Sequence, residues 1–346
     1  MNKPSVLLIY TGGTIGMIKD HDSGELRAFD FDHLYEQVPE LSRIEASLNA
    51  ISMNPIDSSE MNPTKWNELA TIIFSNYHNY DGFVVLHGSD TMAYTASALS
   101  YMIQGIQKPI IFTGSQLPIG TIRTDGKENL ITAIEIAAQK GEDGYSLIQE
   151  IAIYFEYSLY RGCRTTKVSA NAFEAFKSPN YPNLAEAGVE IKFNYRACAR
   201  NLVGQLQFKT ELSEKVALVK IFPGFLPNIY KGIFDVQNVK GVVLETFGSG
   251  NAPKNKTFIK MLHDYIQAGG VVINVTQCFS GEVVQGKYAN SSFFNDIGVI
   301  SGRDMTSEAA ITKLMYVLAN YNSTEAIKKQ LTINLVGEIS EFQEIS

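Results

Sequence analysis

Short apolar runs rich in β-branched residues alternate with helical patterns along most of this chain, and that alternation constrains the fold more than any other feature. The predicted strands are Val6–Tyr10, Phe83–Leu86, Ile110–Phe112, Ile151–Phe155, Val216–Phe222, Gly241–Thr246 and Val271–Val275. The predicted helices are Asn62–His78, Met92–Gln104, Arg123–Gln139, Pro253–Ala268 and Ser307–Ala319. Strands and helices that alternate in this way predict an α/β fold of parallel sheets covered by helices on both faces.

A change of pattern divides the chain into two predicted domains. Residues from about 194 to 214 carry no strong helical period and precede a new strand at Val216. We predict a larger N-terminal catalytic α/β domain over 1–195, with a mainly parallel sheet. A linker over 196–215 and a smaller C-terminal α/β domain over 216–346 follow. The length of 346 residues fits two domains of roughly 150 residues each.

The charge and the cysteine content narrow the possible partners. Twenty-nine basic against 36 acidic residues give a net charge of −7, which disfavours binding to nucleic acid or to an anionic membrane. The cysteines at 163, 198 and 278 are odd in number and widely spaced, which predicts no disulfide framework and favours a reducing compartment. The apolar run Val6–Tyr10 is too short for a signal peptide, and no run approaches the ~18 apolar residues of a membrane helix. We therefore predict a cytoplasmic protein.

Three of the predicted strands end in loops of similar composition. Thr11–Gly16, His87–Thr91 and Thr113–Gln116 each combine glycine with small hydroxyl residues. In open α/β sheets, ligands sit beyond the carboxyl ends of the strands. The loops therefore predict a site built from backbone NH groups and alcohols.

The common cofactor and metal motifs do not match. Threonine stands where the first loop would need glycine for a dinucleotide fingerprint, and the glycines of Gly120–Lys127 are one residue too far apart for a phosphate loop. The five histidines lack metal-ligand spacing, and neither a G-x-S-x-G nor an H-E-x-x-H motif occurs. We therefore expect no cofactor and no metal. A hydroxyl nucleophile served by a desolvated lysine remains, with Lys167 as a candidate base held by Asp90.

Taken singly, these segments have ordinary structural explanations, but their ordered set is distinctive. The set comprises Thr11-Gly-Gly-Thr-Ile-Gly16, Ile56-Asp-Ser-Ser59, His87-Gly-Ser-Asp-Thr-Met92, Thr113-Gly-Ser-Gln116 and Arg164-Thr-Thr-Lys167. It resembles the L-asparaginase family. Gly248-Ser-Gly-Asn-Ala-Pro253 and Thr276-Gln-Cys278 resemble its cytoplasmic, type I branch, and the match spans roughly positions 5 to 320.

The resemblance implies hydrolysis of L-asparagine to aspartate and ammonia through a covalent acyl-enzyme, without metal or cofactor. Thr14 would be the first nucleophile, and Ser89, Asp90 and Lys167 would form a second hydroxyl–carboxylate–lysine group.

The resemblance also implies how the substrate is held. Ser59, together with the carboxylate of the second group, would bind the α-carboxylate and α-amino group. Backbone contacts would fall on Gly13, Ser58, Gly88 and Ser115. A second subunit would complete the site through Asn251, in a homodimer or a dimer of dimers.

Three positions depart from the family pattern. Serine at 89 replaces the usual threonine but keeps the hydroxyl, so we expect activity to survive. The segment Lys19–Phe31 has Glu25, Leu26 and Phe29 but no tyrosine, so either Thr14 is activated differently or its role as first nucleophile is less secure. Glu245 replaces the arginine of the effector pocket of regulated members, which predicts a weak or absent allosteric response.

Two other functions are compatible with the sequence. One is the ammonia-producing subunit of a tRNA-dependent amidotransferase, which carries an additional N-terminal domain, whereas this chain begins at the first catalytic strand. The other is a non-catalytic amino-acid-binding protein. Dependence on tRNA separates the first from an asparaginase, and a turnover assay separates the second. Preference for asparagine over glutamine depends on about one methylene of pocket depth, worth ~1–3 kcal/mol.

Overall fold

The structure is a computed structural model that describes residues 3–19, 26–28, 38–200, 204–286 and 289–341. It divides into two compact units. The first takes the residues up to 178 together with 182–208, and the second takes 179–181 and the residues from 209 onwards. The sequence did not indicate that residues 179–181 join the second unit.

The secondary structure is as follows. The strands are β1 Ser5–Gly12, β2 Met17–Lys19, β3 Leu26–Ala28, β4 Ser47–Ile56, β5 Gly82–Leu86, β6 Ile103–Gln104, β7 Ile110–Thr113, β8 Ile151–Phe155, β9 Ser158–Arg161, β10 Thr166–Lys167, β11 Phe176–Lys177, β12 Ala185–Ala187, β13 Ile191–Phe193, β14 Gln207–Phe208, β15 Val216–Lys220, β16 Gly241–Thr246, β17 Val271–Thr276 and β18 Ile300–Ser301. The α-helices are α1 Pro63–Asn76, α2 Met92–Met102, α3 Gly126–Ala138, α4 Lys256–Gln267, α5 Ala289–Ile297, α6 Ser307–Asn320 and α7 Thr324–Thr332.

The first unit is built on an eight-stranded sheet in the order β13-β12-β9-β8-β7-β5-β1-β4. The five neighbouring strands β4, β1, β5, β7 and β8 are parallel, and β9, β12 and β13 add an antiparallel edge. Strands β5, β7 and β8 are buried at every position, as strands covered on both faces are. Helix α3 packs on β1, β5, β7 and β8, and α2 packs on β8.

The second unit is built on a four-stranded parallel sheet in the order β15-β16-β17-β18. Helix α6 packs on β15, β16 and β17. The approach is close, because a Cβ on Gly241 would lie 2.8 Å from side-chain carbons of Leu314 and Leu318. The core on which α4 packs is apolar and aromatic, with Leu244 and Phe258 among its buried members.

The predicted α/β architecture and every predicted strand and helix are confirmed, with end shifts of a few residues. Strand β4 was missed because its buried positions are few and it contains Asn and Pro, so it lacks the apolar run of a central strand. The antiparallel edge of the large sheet was missed as well, since its strands are short. Part of the predicted linker forms β14, which pairs with β6. Among the described residues, no helix has the length and hydropathy needed to cross a bilayer.

Candidate active site

The loops after β1, β5 and β7 lie at one edge of the first unit's sheet. These three parallel strands are neighbours, so their carboxyl ends point the same way. This is the edge at which open α/β sheets bind ligands. The structure therefore brings together the three glycine-rich and hydroxyl-rich loops of the sequence.

The loops touch one another through glycines. Gly13 has a φ of +86°, and a Cβ there would lie 2.4 Å from the Cα of Gly88. A Cβ on Gly88 would lie 2.7 Å from the Oγ of Ser58, and one on Gly114 would lie 2.4 Å from the carbonyl oxygen of His87. Glycine is thus required for these backbone segments to approach so closely.

Thr14 opens a one-turn 3-10 helix, Thr14–Gly16, directly after Gly13. Buried Tyr10 holds this turn, because its hydroxyl donates to the carbonyl oxygen of Gly16 at 3.0 Å and its ring occupies the space beside the Gly16 Cα. Burial raises the pKa of Tyr10 to about 12, which keeps the phenol protonated as a donor. The half-buried Thr14 therefore stands on a fixed backbone.

The segment that lacks the family's tyrosine is only partly described. Glu25 and Phe29 lie outside the described residues, and Leu26 begins β3, which pairs with β2. Within the described part of the chain, no lysine or carboxylate hydrogen-bonds to the Thr14 hydroxyl.

Ser89, Asp90 and Lys167 form one hydrogen-bonded group. The Nζ of Lys167 donates to Ser89 Oγ at 2.8 Å and to Asp90 Oδ1 at 2.6 Å. The Lys167 side chain is 17% exposed, whereas that of Asp90 is 68% exposed. Because Ser89 Oγ accepts from the lysine, its own proton can be donated elsewhere. The group is thus sheltered at one end and open to a dissolved ligand at the other.

Ser58 and Ser59 lie in a turn that follows β4. Asp57 Oδ1 accepts from the backbone N–H of Ser59 at 2.8 Å and from its hydroxyl at 2.7 Å. These hydrogen bonds, from the hydroxyl first and the amide second, lower the pKa of Asp57. With its proton directed at Asp57, the Ser59 hydroxyl presents its lone pairs to an incoming donor.

Ser115 is buried in the loop after β7, where its hydroxyl donates to the carbonyl oxygen of Leu117 at 2.6 Å. Asp125 fixes the loop by accepting from the N–H groups of Gln116 at 2.8 Å and Leu117 at 3.1 Å. Asn129 donates to the carbonyl oxygen of Gly114 at 2.9 Å. Burial raises the pKa of Asp125.

His87 is buried behind the Gly88–Asp90 loop. One ring nitrogen, Nδ1, lies 2.6 Å from the carbonyl oxygen of Gly88, which can only accept, so Nδ1 carries the proton. The Thr95 hydroxyl then donates to Nε2 at 3.0 Å and itself accepts from Trp66 Nε1 at 3.0 Å. Burial lowers the pKa of His87 to about 4, so the imidazole is neutral at pH 7. It supports the loop from inside the fold.

The sequence analysis missed Asp57, Asp125, Asn129 and the structural role of His87. Asp57 had a local signal, because aspartate two residues before a serine is typical of an Asx turn. Asp125 and Asn129 stand where a helix begins, and their residue types are typical of that position. Nothing in the local sequence indicates that they hydrogen-bond to the loop after β7.

Asn251 and Glu245 belong to the second unit. Asn251 exchanges backbone hydrogen bonds with Phe247, and its side-chain oxygen is buried without a hydrogen-bond partner in the described structure. Glu245 accepts from the Ser307 hydroxyl at 2.5 Å and lies 3.6 Å from the ammonium of Lys220. The side chain that replaces the family's effector-binding arginine is therefore already partnered.

No group of three or more His, Cys, Asp or Glu side chains within the described ranges is arranged to hold a metal ion. Aside from its glycines and hydroxyls, the site offers a lysine and a carboxylate. Such groups can carry proton transfer and nucleophilic attack on a carbonyl.

Two family models match the chain. One, described as "Asparaginase, N-terminal", covers residues 5–199, and the other, "Glutaminase/Asparaginase C-terminal domain", covers residues 215–331. Together they extend over both units.

Similar proteins match over nearly the whole chain. "L-asparaginase 1" of Escherichia coli (strain K12) is 42% identical over 98% of this chain and 99% of that protein. A "60 kDa lysophospholipase" of Mus musculus is 37% identical over 97% of this chain but only 62% of that protein. The crystal structure of L-asparaginase I from Vibrio cholerae O1 biovar eltor str. N16961 superposes with a TM-score of 0.89 at 37% identity, covering 98% of this chain and 100% of that one.

Proposed function

The chain belongs to the asparaginase family, and from that premise we propose that it hydrolyses the side-chain amide of L-asparagine to L-aspartate and ammonia. The single observation that carries the proposal is the hydrogen-bonded group of Ser89, Asp90 and Lys167. Ser89 and Asp90 lie on a loop whose Gly88 touches Gly13, the residue before Thr14.

Acylation begins at the Thr14 hydroxyl. Its oxygen attacks the side-chain amide carbon, the C–O bond forms, and the carbonyl π electrons move to the oxygen. The C–N bond then breaks, and the nitrogen leaves as ammonia with the proton that Thr14 lost. Ser89 relays protons in this step, because its oxygen accepts from Lys167 and its own proton is available for donation.

Deacylation follows the same path with water. Water attacks the ester carbon, its proton passes to the Thr14 oxygen, and the acyl C–O bond breaks to give aspartate and free enzyme. The oxyanion of each step needs donors that are already in place, each worth on the order of 10²–10³ in rate. The helix α2 begins at Met92 without a side-chain cap, so its first N–H groups and the adjoining loop amides are suited to that role.

The two charged groups of the substrate, its α-ammonium and its α-carboxylate, are met by opposite charge or by dipoles in this arrangement. The exposed carboxylate of Asp90 pairs with the α-ammonium, and Ser59 offers its hydroxyl at the same end. Backbone groups of Gly13, Ser58, Gly88 and Ser115 complete the contacts.

The proposed assembly is a homodimer or a dimer of dimers in which Asn251 of each subunit completes the partner's site. The proposal is supported by the Gly248–Pro253 motif, which contains Asn251 and resembles the type I branch. A cytoplasmic location remains a prediction from the type I motifs of the sequence.

The test is ammonia release from L-asparagine, L-glutamine and D-asparagine by wild type, Thr14→Ala and Thr14→Ser. We expect L-asparagine turnover that Thr14→Ala abolishes and that Thr14→Ser, which keeps the hydroxyl, retains. Turnover that persists in Thr14→Ala would move the attacking hydroxyl to Ser89. Absence of turnover by wild type on all three substrates would favour an amino-acid-binding protein, and a requirement for tRNA would favour the amidotransferase.

A further inference from the structure

Thr91 lies directly before α2, where a threonine hydroxyl commonly caps its own helix. Here the side chain makes no capping hydrogen bond. Its hydroxyl instead donates to the carbonyl oxygen of Ser58 at 2.7 Å, across 33 residues of sequence. The helix therefore lacks a side-chain cap, and the Thr91 hydroxyl links the start of α2 to the turn that contains Ser58.

This hydrogen bond directly joins two walls of the site that lie beyond the ends of their strands. The turn that carries Ser58 and Ser59 follows β4, and the loop that carries Ser89 and Asp90 follows β5. Strands β4 and β5 flank β1 on opposite sides and do not pair with each other. Both pair with β1, so the sheet holds the strands themselves two strand spacings apart, but the ladders end at Ile56 and Leu86, before the two walls. Beyond the ladders, Gly88 and Ser58 are in contact.

We propose that Thr91 is a positioning residue that sets the spacing between these two walls and thereby the affinity for the α-amino-acid end of the substrate. The inference rests on the proposed function, in which Ser59 on one wall and Asp90 on the other contact that end of the substrate. Within the described part of the chain, the Thr91 hydroxyl makes no hydrogen bond to Thr14, Ser89 or Lys167. Its loss should therefore weaken binding in the ground state and the transition state alike, which raises KM and spares kcat.

Three variants isolate the Thr91 hydroxyl. Thr91→Val keeps the shape and removes the donor, Thr91→Ser keeps the donor, and Thr312→Val is the matched control. Thr312 is buried in α6 of the second unit, and its hydroxyl also donates to a backbone carbonyl at 2.7 Å, that of Glu308.

We expect Thr91→Val to raise KM for L-asparagine about tenfold with kcat within about threefold of wild type, the size of one lost hydrogen bond. Thr91→Ser should restore KM to within about threefold of wild type, and Thr312→Val should leave KM unchanged. An unchanged KM in Thr91→Val, or a loss confined to kcat, overturns the inference and leaves the proposed function standing.

Binding of L-aspartate, measured by isothermal titration, keeps the two proposals separable. If wild type releases no ammonia, the proposed function fails, and the titration then decides the role of Thr91. A Kd about tenfold weaker in Thr91→Val than in wild type supports the inference. An equal Kd, or no binding to wild type, overturns it.

Discussion

Two lysine–carboxylate pairs of equal length have very different surroundings in the two units. Lys167 Nζ lies 2.6 Å from Asp90 Oδ1, and Lys313 Nζ lies 2.6 Å from Glu338 Oε1. The side chains of the first pair are 17% and 68% exposed, whereas both of the second are 0% exposed. Distance alone therefore does not distinguish the pair proposed to be reactive from a structural one. Burial and the remaining hydrogen-bond partners do.

The pair in the second unit is enclosed by backbone. Lys313 also donates to the carbonyl oxygens of Leu331 and Ile333, and Glu338 accepts from the N–H groups of Leu335 and Val336. These bonds tie the segment after α7 to α6. Charges taken wholly out of water need such additional partners, since each ion alone costs several kcal/mol of desolvation.

The pair in the first unit has a different third partner. Lys167 donates to the hydroxyl of Ser89, a group that can exchange protons, and Asp90 remains largely in water. An exposed pair of this kind contributes little to stability. It can therefore change its partners and protonation during a reaction at little cost to the fold.

The largest expected effect is on activity, from Lys167→Met. Removing the ammonium that holds Ser89 and Asp90 should lower kcat/KM for L-asparagine on the order of 10³-fold, or about 4 kcal/mol of barrier. The melting temperature should stay within about 4 °C of wild type, because the pair is partly exposed. Steady-state ammonia release and thermal unfolding measure the two quantities. A variant that keeps its activity would remove the lysine from the proposed mechanism.

The next effect is on stability, from Lys313→Met. It leaves Glu338 buried without its cation, which should lower the free energy of unfolding by about 3–5 kcal/mol. Urea denaturation measures this loss, and kcat of the molecules that remain folded should be unchanged.

A double variant sharpens the same comparison. Lys313→Met with Glu338→Leu removes both charges, and it should recover a large part of the lost stability because no unpaired ion remains. A Lys313→Met protein as stable as wild type, or one whose folded fraction is inactive, would erase the contrast between the two pairs.

The sequence indicated the first of these pairs but not the second. Asp90 and Lys167 stand in motifs at strand ends, and the family resemblance placed them together with Ser89. Lys313 and Glu338 gave no such signal, because a lysine in an amphipathic helix is usually solvent-facing and the partner lies in a segment without regular structure. Central strands were predictable from their apolar runs, whereas contacts between distant segments depend on how the loops pack.

The hydrogen bonds that hold the site loops are contacts between distant segments, which the sequence did not predict. Asp125 reaches the loop after β7, and Thr91 reaches the turn after β4, from positions that look like ordinary helix starts. Their residue types suit a cap equally well. The choice between a cap and a long-range bond is made by the tertiary fold.

The smallest expected effect concerns how the free energy of unfolding depends on pH through a buried group of the first unit. Both units bury a charged pair, Lys313–Glu338 in the second and Arg161–Glu150 in the first, and the first also buries neutral His87 behind the site loop. Burial lowers the pKa of His87 from 6.5 to about 4. The unfolded chain therefore takes up this proton first as the pH falls. The imidazole's contribution, about 3 kcal/mol, is fully present above pH 6.5 and is lost as the pH falls to 4.

Urea unfolding of wild type, His87→Asn and His78→Asn between pH 7 and pH 4 measures this contribution. His78 is exposed in the same unit, so its replacement should leave the pH dependence as in wild type, whereas His87→Asn should flatten it. The carboxyl groups of Asp125 and Glu156, whose pKa values are raised by burial, act in the opposite direction near the lower limit, but they are common to all three proteins and cancel in the differences. A wild-type slope that survives in His87→Asn would show that the buried imidazole is not the acid-sensitive group of this unit.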